Sequence, residues 1–208
     1  METYHKIQTV FKRNSETRFK TLLSEYSMPE FEYLKDNEWV FTEKVDGTNI
    51  RIMFDGSISF GGKTNRAQIP AELVNNIQER FLSKIDIFKS FDSTEICLYG
   101  EGYGPKIQSG GKYRDDQGFV LFDVKIGEWW LQRKDVEDVA QKFGLDVVPI
   151  IGLGSIKEMV GKTMEGFYSQ WNDNFIAEGI VARPDTELKS RNGKRIITKI
   201  KYKDFPKD

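Results

Sequence analysis

Cysteine and histidine are nearly absent from this chain of 208 residues, with Cys97 and His5 the sole examples of each. One cysteine excludes an internal disulfide and suits a reducing compartment, the cytoplasm. One cysteine and one histidine cannot assemble the usual zinc site or a Ser-His-Asp triad. His5 lies near the chain end and reads as chemically inert. Also missing is any apolar run of about 18 residues, so no membrane span is expected. The opening Met1-Glu2-Thr3-Tyr4-His5-Lys6 lacks the basic-then-apolar order of a signal peptide. Any catalysis must therefore run on lysine, arginine and carboxylates, with a hard cation such as Mg2+ or Mn2+.

A surplus of charge is lacking too. The formal charge of −1 argues against a basic coat over the whole surface. The local distribution is uneven. From Lys189 to Lys203 the chain carries Lys189, Arg191, Lys194, Arg195, Lys199, Lys201 and Lys203 and no acidic residue. In Lys199-Ile200-Lys201 the alternation puts both lysines on one strand face and the isoleucine on the other. A cationic strand face suits phosphate.

Hydrophobic residues make up 38% of the chain and charged ones 30%, enough apolar material for one substantial domain. Residues 14–27 read as a short helix ended by Met28-Pro29-Glu30. Strands are expected near 39–44, 49–54 and 57–60, then at 94–101, 118–125 and 128–131. From Pro70 to Ile85 the apolar stripe Leu73, Ile77, Phe81 and Leu82 predicts a helix packed on a core. A second helix fits Lys134–Phe143, stopped by Gly144. Residues 155–170 look helical with a break at Gly161, and strands close the chain near 178–183 and 195–202. Polar, glycine-rich Gly104–Gly118 reads as a loop, mobile over a cleft. The class is α+β, with antiparallel sheets lining a nucleotide pocket and helices packed outside.

The most informative segment is Phe41-Thr42-Glu43-Lys44-Val45-Asp46-Gly47-Thr48-Asn49-Ile50. Aromatic and β-branched residues flank it on both sides, so Lys44 falls at the turn between two strands, with Gly47 permitting a tight bend. A lysine held there can act as a nucleophile. By itself Lys-x-Asp-Gly is more often only a hairpin. Five further motifs follow in order: Gly62-Lys63-Thr64-Asn65-Arg66, Leu98-Tyr99-Gly100-Glu101-Gly102-Tyr103-Gly104, Val120-Leu121-Phe122-Asp123-Val124, Glu178-Gly179-Ile180-Val181-Ala182-Arg183 and Thr198-Lys199-Ile200-Lys201-Tyr202-Lys203.

Taken together, Trp39 to Lys203 resembles the covalent nucleotidyltransferase superfamily of polynucleotide ligases and capping enzymes. The resemblance implies an adenylation domain of the ATP-grasp-like DNA/RNA ligase type. It also implies ATP and Mg2+ or Mn2+ as cofactors and Lys44 as the nucleophile on the α-phosphorus. Lys199 and Lys201 would steady the phosphate charge. Glu43 would read the adenine edge, Arg66 the ribose and phosphate, and Glu101 a ribose hydroxyl. Phe122 would stack on the base, beside a supporting Asp123, and Glu178 would stand near the metal.

Asn49, five residues after the nucleophile, is where DNA ligases and capping guanylyltransferases commonly carry arginine. The wording Glu-Lys-x-x-Gly-Thr-Asn is closest to ATP-dependent RNA ligases of the type named for the second phage enzyme. That implies joining of RNA 5′-phosphate and 3′-hydroxyl ends, in the cytoplasm or in a host's if phage-encoded. A minimal DNA ligase, a capping-type transferase and a non-catalytic binding module are the other readings. The chain is expected to be a single adenylyltransferase domain, 1–208, without a C-terminal OB or helical domain. RNA grip then comes from the catalytic domain or from an accessory RNA-binding protein.

Overall fold

The computed structural model describes residues 3–91 and 95–205. In chain order the first strands are β1 (Gln8–Thr9), β2 (Phe11–Arg13) and β3 (Leu22–Tyr26), followed by helix α1 (Pro29–Tyr33). Next come β4 (Trp39–Glu43), β5 (Thr48–Phe54), β6 (Ile58–Gly62), α2 (Ala71–Leu82), α3 (Ile85–Lys89) and β7 (Ile96–Tyr103). Then follow β8 (Gly118–Ile126), β9 (Trp129–Trp130), α4 (Arg133–Phe143), β10 (Asp146–Val147) and β11 (Ile150–Gly154). The last elements are α5 (Ile156–Glu165), β12 (Gly179–Pro184) and β13 (Thr198–Lys201). The chain divides into two units, one of Val45–Val148 with the N-terminal residues up to His5, the other of Lys6–Lys44 with Pro149 onward.

The Val45–Val148 unit is built on a sheet ordered β10-β8-β7-β5-β6, with β9 paired to β8. Alternation along β5 sends Ile50, Ile52 and Phe54 into a core. The stripes of α2 (Leu73, Ile77, Phe81) and α4 (Val136, Val139, Ala140, Phe143) cover that face. Phe81 centres it, with ring centroids 5.6 Å from Phe143, 6.1 Å from Phe119 and 6.2 Å from Phe88. The opposite face of the sheet carries Asn49, Arg51, Tyr99, Glu101 and Asp123.

The other unit holds a sheet ordered β1-β13-β12-β4-β11, beside the small β2-β3 pair. Trp39 and Phe41 of β4, Ile180 and Ala182 of β12 and Ile200 of β13 form its core with Ile156 and Met159 of α5. Ser155 caps α5 by accepting from the Glu158 N–H, while the Glu158 carboxylate accepts from the Ser155 N–H.

Several expectations need correction. Residues 14–27 contain no helix; they form turns and β3, and the helix starts where proline was expected to end it, at Pro29. Proline at the first helical position is pre-set for helix, which outweighs its role as a stop. Gly161 does not interrupt α5, because a glycine lying in open space weakens a helix without breaking it. The sheets are not purely antiparallel: β1 runs parallel to β13 and β10 parallel to β8. Both parallel strands are two residues long, too short to register as periodicity. The first residue of the strand expected at 94–101 lies outside the described residues. Loop 104–118 is packed rather than loose. The Gln117 Nε2 donates to the Pro105 carbonyl at 2.8 Å, the Asn76 Nδ2 to the Gln117 carbonyl at 2.7 Å, and Tyr113 is buried.

Phe81→Ala removes the ring on which three others converge. It should lower unfolding free energy by about 3–5 kcal/mol, read as a shift of the urea midpoint; a shift under a third of that would place the core elsewhere.

Candidate active site

Strand parity governs the candidates carried by the unit of Lys6–Lys44 and Pro149 onward. Trp39, Phe41 and Glu43 share the core face of β4, which leaves Lys44 on the opposite parity at the strand's end. The Lys44 N–H donates to the Gly179 carbonyl at 2.9 Å, which fixes the lysine against the start of β12. There its Nζ lies 2.7 Å from Glu178 Oε2. Lys201 Nζ meets the other carboxylate oxygen, so Glu178 is held between two ammonium groups. The Glu178 side chain is buried, 8% exposed, against 18% for Lys44 and 21% for Lys201. Three charges this close inside a partly dry site interact far more strongly than at a surface.

Gly179 makes that convergence possible. It pairs with Lys201, and a Cβ on it would lie 2.1 Å from the Ile200 carbonyl oxygen and 2.7 Å from the Lys201 Cα. Any side chain there would push β13 away. Asp204 then fixes Lys201 from behind. One of its oxygens accepts from the Lys201 N–H at 3.0 Å and the other from Arg13 at 2.8 Å. Asp204 is buried and lies outside the motifs; no sequence pattern singled it out. Lys199 stands on the same strand face as Lys201, with Ile200 buried between them.

Glu43 is a different case. Only 1% exposed, it accepts from the Ser169 hydroxyl at 2.7 Å and from the Gln170 N–H at 2.8 Å. Burial raises its carboxyl pKa above the ordinary value, and the two donors pull it partly back. The geometry gives Glu43 a task of its own, holding loop 169–171 against the strand that carries Lys44. Ser169 was missed in the sequence. The parity of Glu43 with Trp39 and Phe41 was the available signal, since it demands an internal partner for a buried carboxylate.

The Val45–Val148 unit carries the remaining candidates. Asn49 and Glu101 sit opposite each other in the β5–β7 register. The Asn49 Oδ1 is buried without a hydrogen-bond partner, an acceptor that calls for a donor such as a hydroxyl or water. Two residues on, buried Arg51 donates to the Gly62 carbonyl at 3.0 Å and to Asn65 Oδ1 at 2.9 Å, tying down the loop that bears Arg66. Arg66 itself is exposed. Phe122 is the extra residue of a bulge, since Tyr99 pairs with Asp123 and Gly100 with Leu121. The bulge turns Phe122 to the face that carries Asp123. There the Tyr4 hydroxyl donates to Asp123 Oδ2 at 2.8 Å, and the Tyr4 ring lies 5.0 Å from Phe122 and 5.1 Å from Tyr99. His5 and Trp130 complete the aromatic group, so His5 packs rather than dangles.

Where the unit begins, the turn after Lys44 is held on both sides. The Tyr113 hydroxyl accepts from the Asp46 N–H at 3.2 Å, and a Cβ on Gly47 would lie 2.3 Å from the Gly102 carbonyl oxygen. Cys97 is buried, and burial pushes its thiol up to about 11, which removes it as a nucleophile. Among the described residues no cluster of three or more His, Cys, Asp or Glu could cage a metal. A hydrated Mg2+ asks for only one or two carboxylates, and Glu178 meets that requirement.

A raised carboxyl pKa in the folded state contributes stability below the unfolded value of 4.5, and that contribution is lost as pH rises through the folded value. The stability of the wild-type protein relative to Glu43→Gln should therefore fall as pH rises above the unfolded value of 4.5 and level off above the folded value. Urea unfolding of both proteins across that range checks it; a constant difference would contradict the assignment.

A profile of the RNA ligase family matches residues 37–202. Among solved structures, a variant of Naegleria gruberi RNA ligase with ATP and Mn superposes with a TM-score of 0.65 at 20% identity, covering 85% of this chain and 54% of that one. The Naegleria gruberi enzyme with PPi gives 0.67 at 20% identity, over 97% of this chain and 57% of that one. A further variant with AMP and Mn gives 0.66 at 18%, over 97% and 57%. This chain thus spans a little over half the length of the solved ligases it matches, and at such identity the likeness is one of fold. The match over residues 37–202 places the chain in the RNA ligase family.

Proposed function

We propose that the protein is an ATP-dependent RNA ligase that joins a 5′-phosphate to a 3′-hydroxyl, and that Lys44 carries the AMP. The observation that supports this most is the Lys44–Glu178–Lys201 cluster, a primary amine set against a carboxylate beside a second cation. Lys44 Nζ attacks the α-phosphorus of ATP; a P–N bond forms, the P–O bond to pyrophosphate breaks, and the amine loses a proton. The RNA 5′-phosphate then attacks the same phosphorus and returns the lysine. In the last step the 3′-hydroxyl attacks the activated 5′-phosphate and AMP leaves.

Before attack, Lys44 must leave its ion pair, because an ammonium has no lone pair to offer. Glu178 is the group that would hold a hydrated Mg2+ or Mn2+ in place of the lysine. When bound, such an ion neutralises phosphate charge and favours the neutral amine. Lys201, kept in place by Asp204, and Lys199 on the same strand face steady the charge that grows on the phosphate. Within the Val45–Val148 unit, the family resemblance assigns Asn49 and Glu101 to ribose hydroxyls, Arg66 to the ribose and phosphate, and Phe122 to the base. Glu43, the residue that the resemblance assigns to the adenine edge, is held by Ser169 and Gln170 beside Lys44. RNA ends are the partners, and the cytoplasm is the site of action. Among the described residues no helix is long and apolar enough to cross a membrane.

Incubation with α-labelled ATP and Mg2+ should leave a protein-bound label that is stable to alkali and lost in acid, as a P–N bond is. Lys44→Ala should abolish it, and Lys201→Ala should slow it about 10²- to 10³-fold. Labelling that persists in Lys44→Ala would overturn the nucleophile. Labelling by GTP in preference to ATP would instead favour a capping-type transferase, and better sealing of an all-DNA nick would favour a DNA ligase.

A further inference from the structure

The chain between β12 and β13 forms a small hairpin, marked by the Lys189–Arg195 bridge. Its tip is rigidly built. The Ser190 N–H donates to the Lys194 carbonyl at 2.8 Å and the Gly193 N–H to the Ser190 carbonyl at 2.9 Å. Asn192 Oδ1 accepts from the Ser190 hydroxyl at 2.6 Å and from the Lys194 N–H at 3.1 Å. Gly193 turns the chain at a φ of 79°, with open space around it. At the base, the Ile196 N–H donates to the Leu188 carbonyl at 2.9 Å, and both side chains pack on the core of their unit.

Charge on this hairpin is sorted. Arg195 is buried, and its guanidinium is bidentate to Glu187, the acid nearest the tip in the chain; Asp185, exposed, follows the end of β12 directly. Arg183 also reaches Glu187, at 4.0 Å. That carboxylate is therefore consumed at the base of the hairpin. Lys189, Arg191 and Lys194 at the tip are exposed, and none forms an ion pair among the described residues. The loop 104–118 is less suited to the same task, since its Arg114 is already paired with Asp116 at 2.7 Å. The hairpin runs straight into β13. Lys201 follows Lys194 by seven positions, a reach of at most about 25 Å.

We infer that the Lys189–Arg191–Lys194 tip is a docking surface for RNA phosphodiesters, placed to hold the strand whose end is activated at Lys44. This rests on the ligase reading. A preordered set of cations loses little conformational freedom when it meets phosphates, unlike lysines on a loose tail. Neutralising three phosphates of a single strand makes binding depend on salt with a slope of about −2 in log K against log salt.

The test compares wild type with Lys189→Gln/Arg191→Gln/Lys194→Gln and with the charge-keeping Lys189→Arg/Arg191→Lys/Lys194→Arg. Binding of a fluorescent, 5′-phosphorylated single-stranded RNA is followed by anisotropy from 50 to about 300 mM salt, where each lost contact removes roughly 0.7 from the slope. Labelling by ATP is measured without RNA. The Gln variant should bind RNA at least about tenfold more weakly at low salt, with a slope shallower by about 2. Its circular dichroism and ATP labelling should match wild type, and the charge-keeping variant should bind as wild type does. Equal affinity and slope in wild type and Gln variant would overturn the surface, as would a loss shared by the charge-keeping variant. If neither wild type nor variants take up ATP label, the ligase reading fails while the binding comparison still decides the hairpin. Equal RNA binding with loss of an acidic protein partner would also count against it.

Discussion

A carboxylate clamped between two ammonium groups is the constraint on which the rest of the site depends. Glu178 is too buried to stand alone, and Lys44 and Lys201 are too close to coexist without it. Removing Glu178 would leave two ammonium groups uncompensated in a partly dry place, whereas losing either lysine leaves the carboxylate still paired with the other. The carboxylate is therefore what both lysines require, and the backbone around it is arranged to bring them to it. Gly179 lets β13 approach, the Lys44 N–H is fixed to Gly179, and Asp204 with Arg13 secures Lys201.

On the proposed reading, the same arrangement lets Lys44 be both parked and ready. While Lys44 lies against Glu178 its charge is matched and its side chain is ordered. The proposed reaction would need the pair to open, and a cation held by Glu178 would open it. Ordering and release thus draw on a single carboxylate. This gives a physical reason for placing the second lysine on β13, where it can stay with the carboxylate when Lys44 departs.

Much of the fold was legible because β5 alternates clearly, β4, β7 and β8 are short apolar runs bounded by turns, and period-3.6 stripes are strong in α2 and α4. Elements of two residues, such as β1 and β10, fall below what a periodic signal can carry. At the N-terminal end, local propensity favoured helix for residues 14–27, but pairing of β3 with β2 prevailed. Tertiary context overrides propensity most easily in such short, polar segments.

For the candidate site, the charged residues announced themselves through turns and motifs, whereas their supports did not. Asp204, Arg51, Ser169 and Tyr113 each hold a candidate or its loop through a contact between residues distant in sequence or unmarked by pattern. Glu43 shows where closer reading would have gained. Its parity with Trp39 and Phe41 already placed a carboxylate on an apolar face, and a carboxylate there must find donors inside the protein. Ser169 and Gln170 are those donors. The alternation that buries Glu43 is also what leaves the next residue, Lys44, on the other parity, so the buried acid and the amine paired with Glu178 are two consequences of one strand geometry.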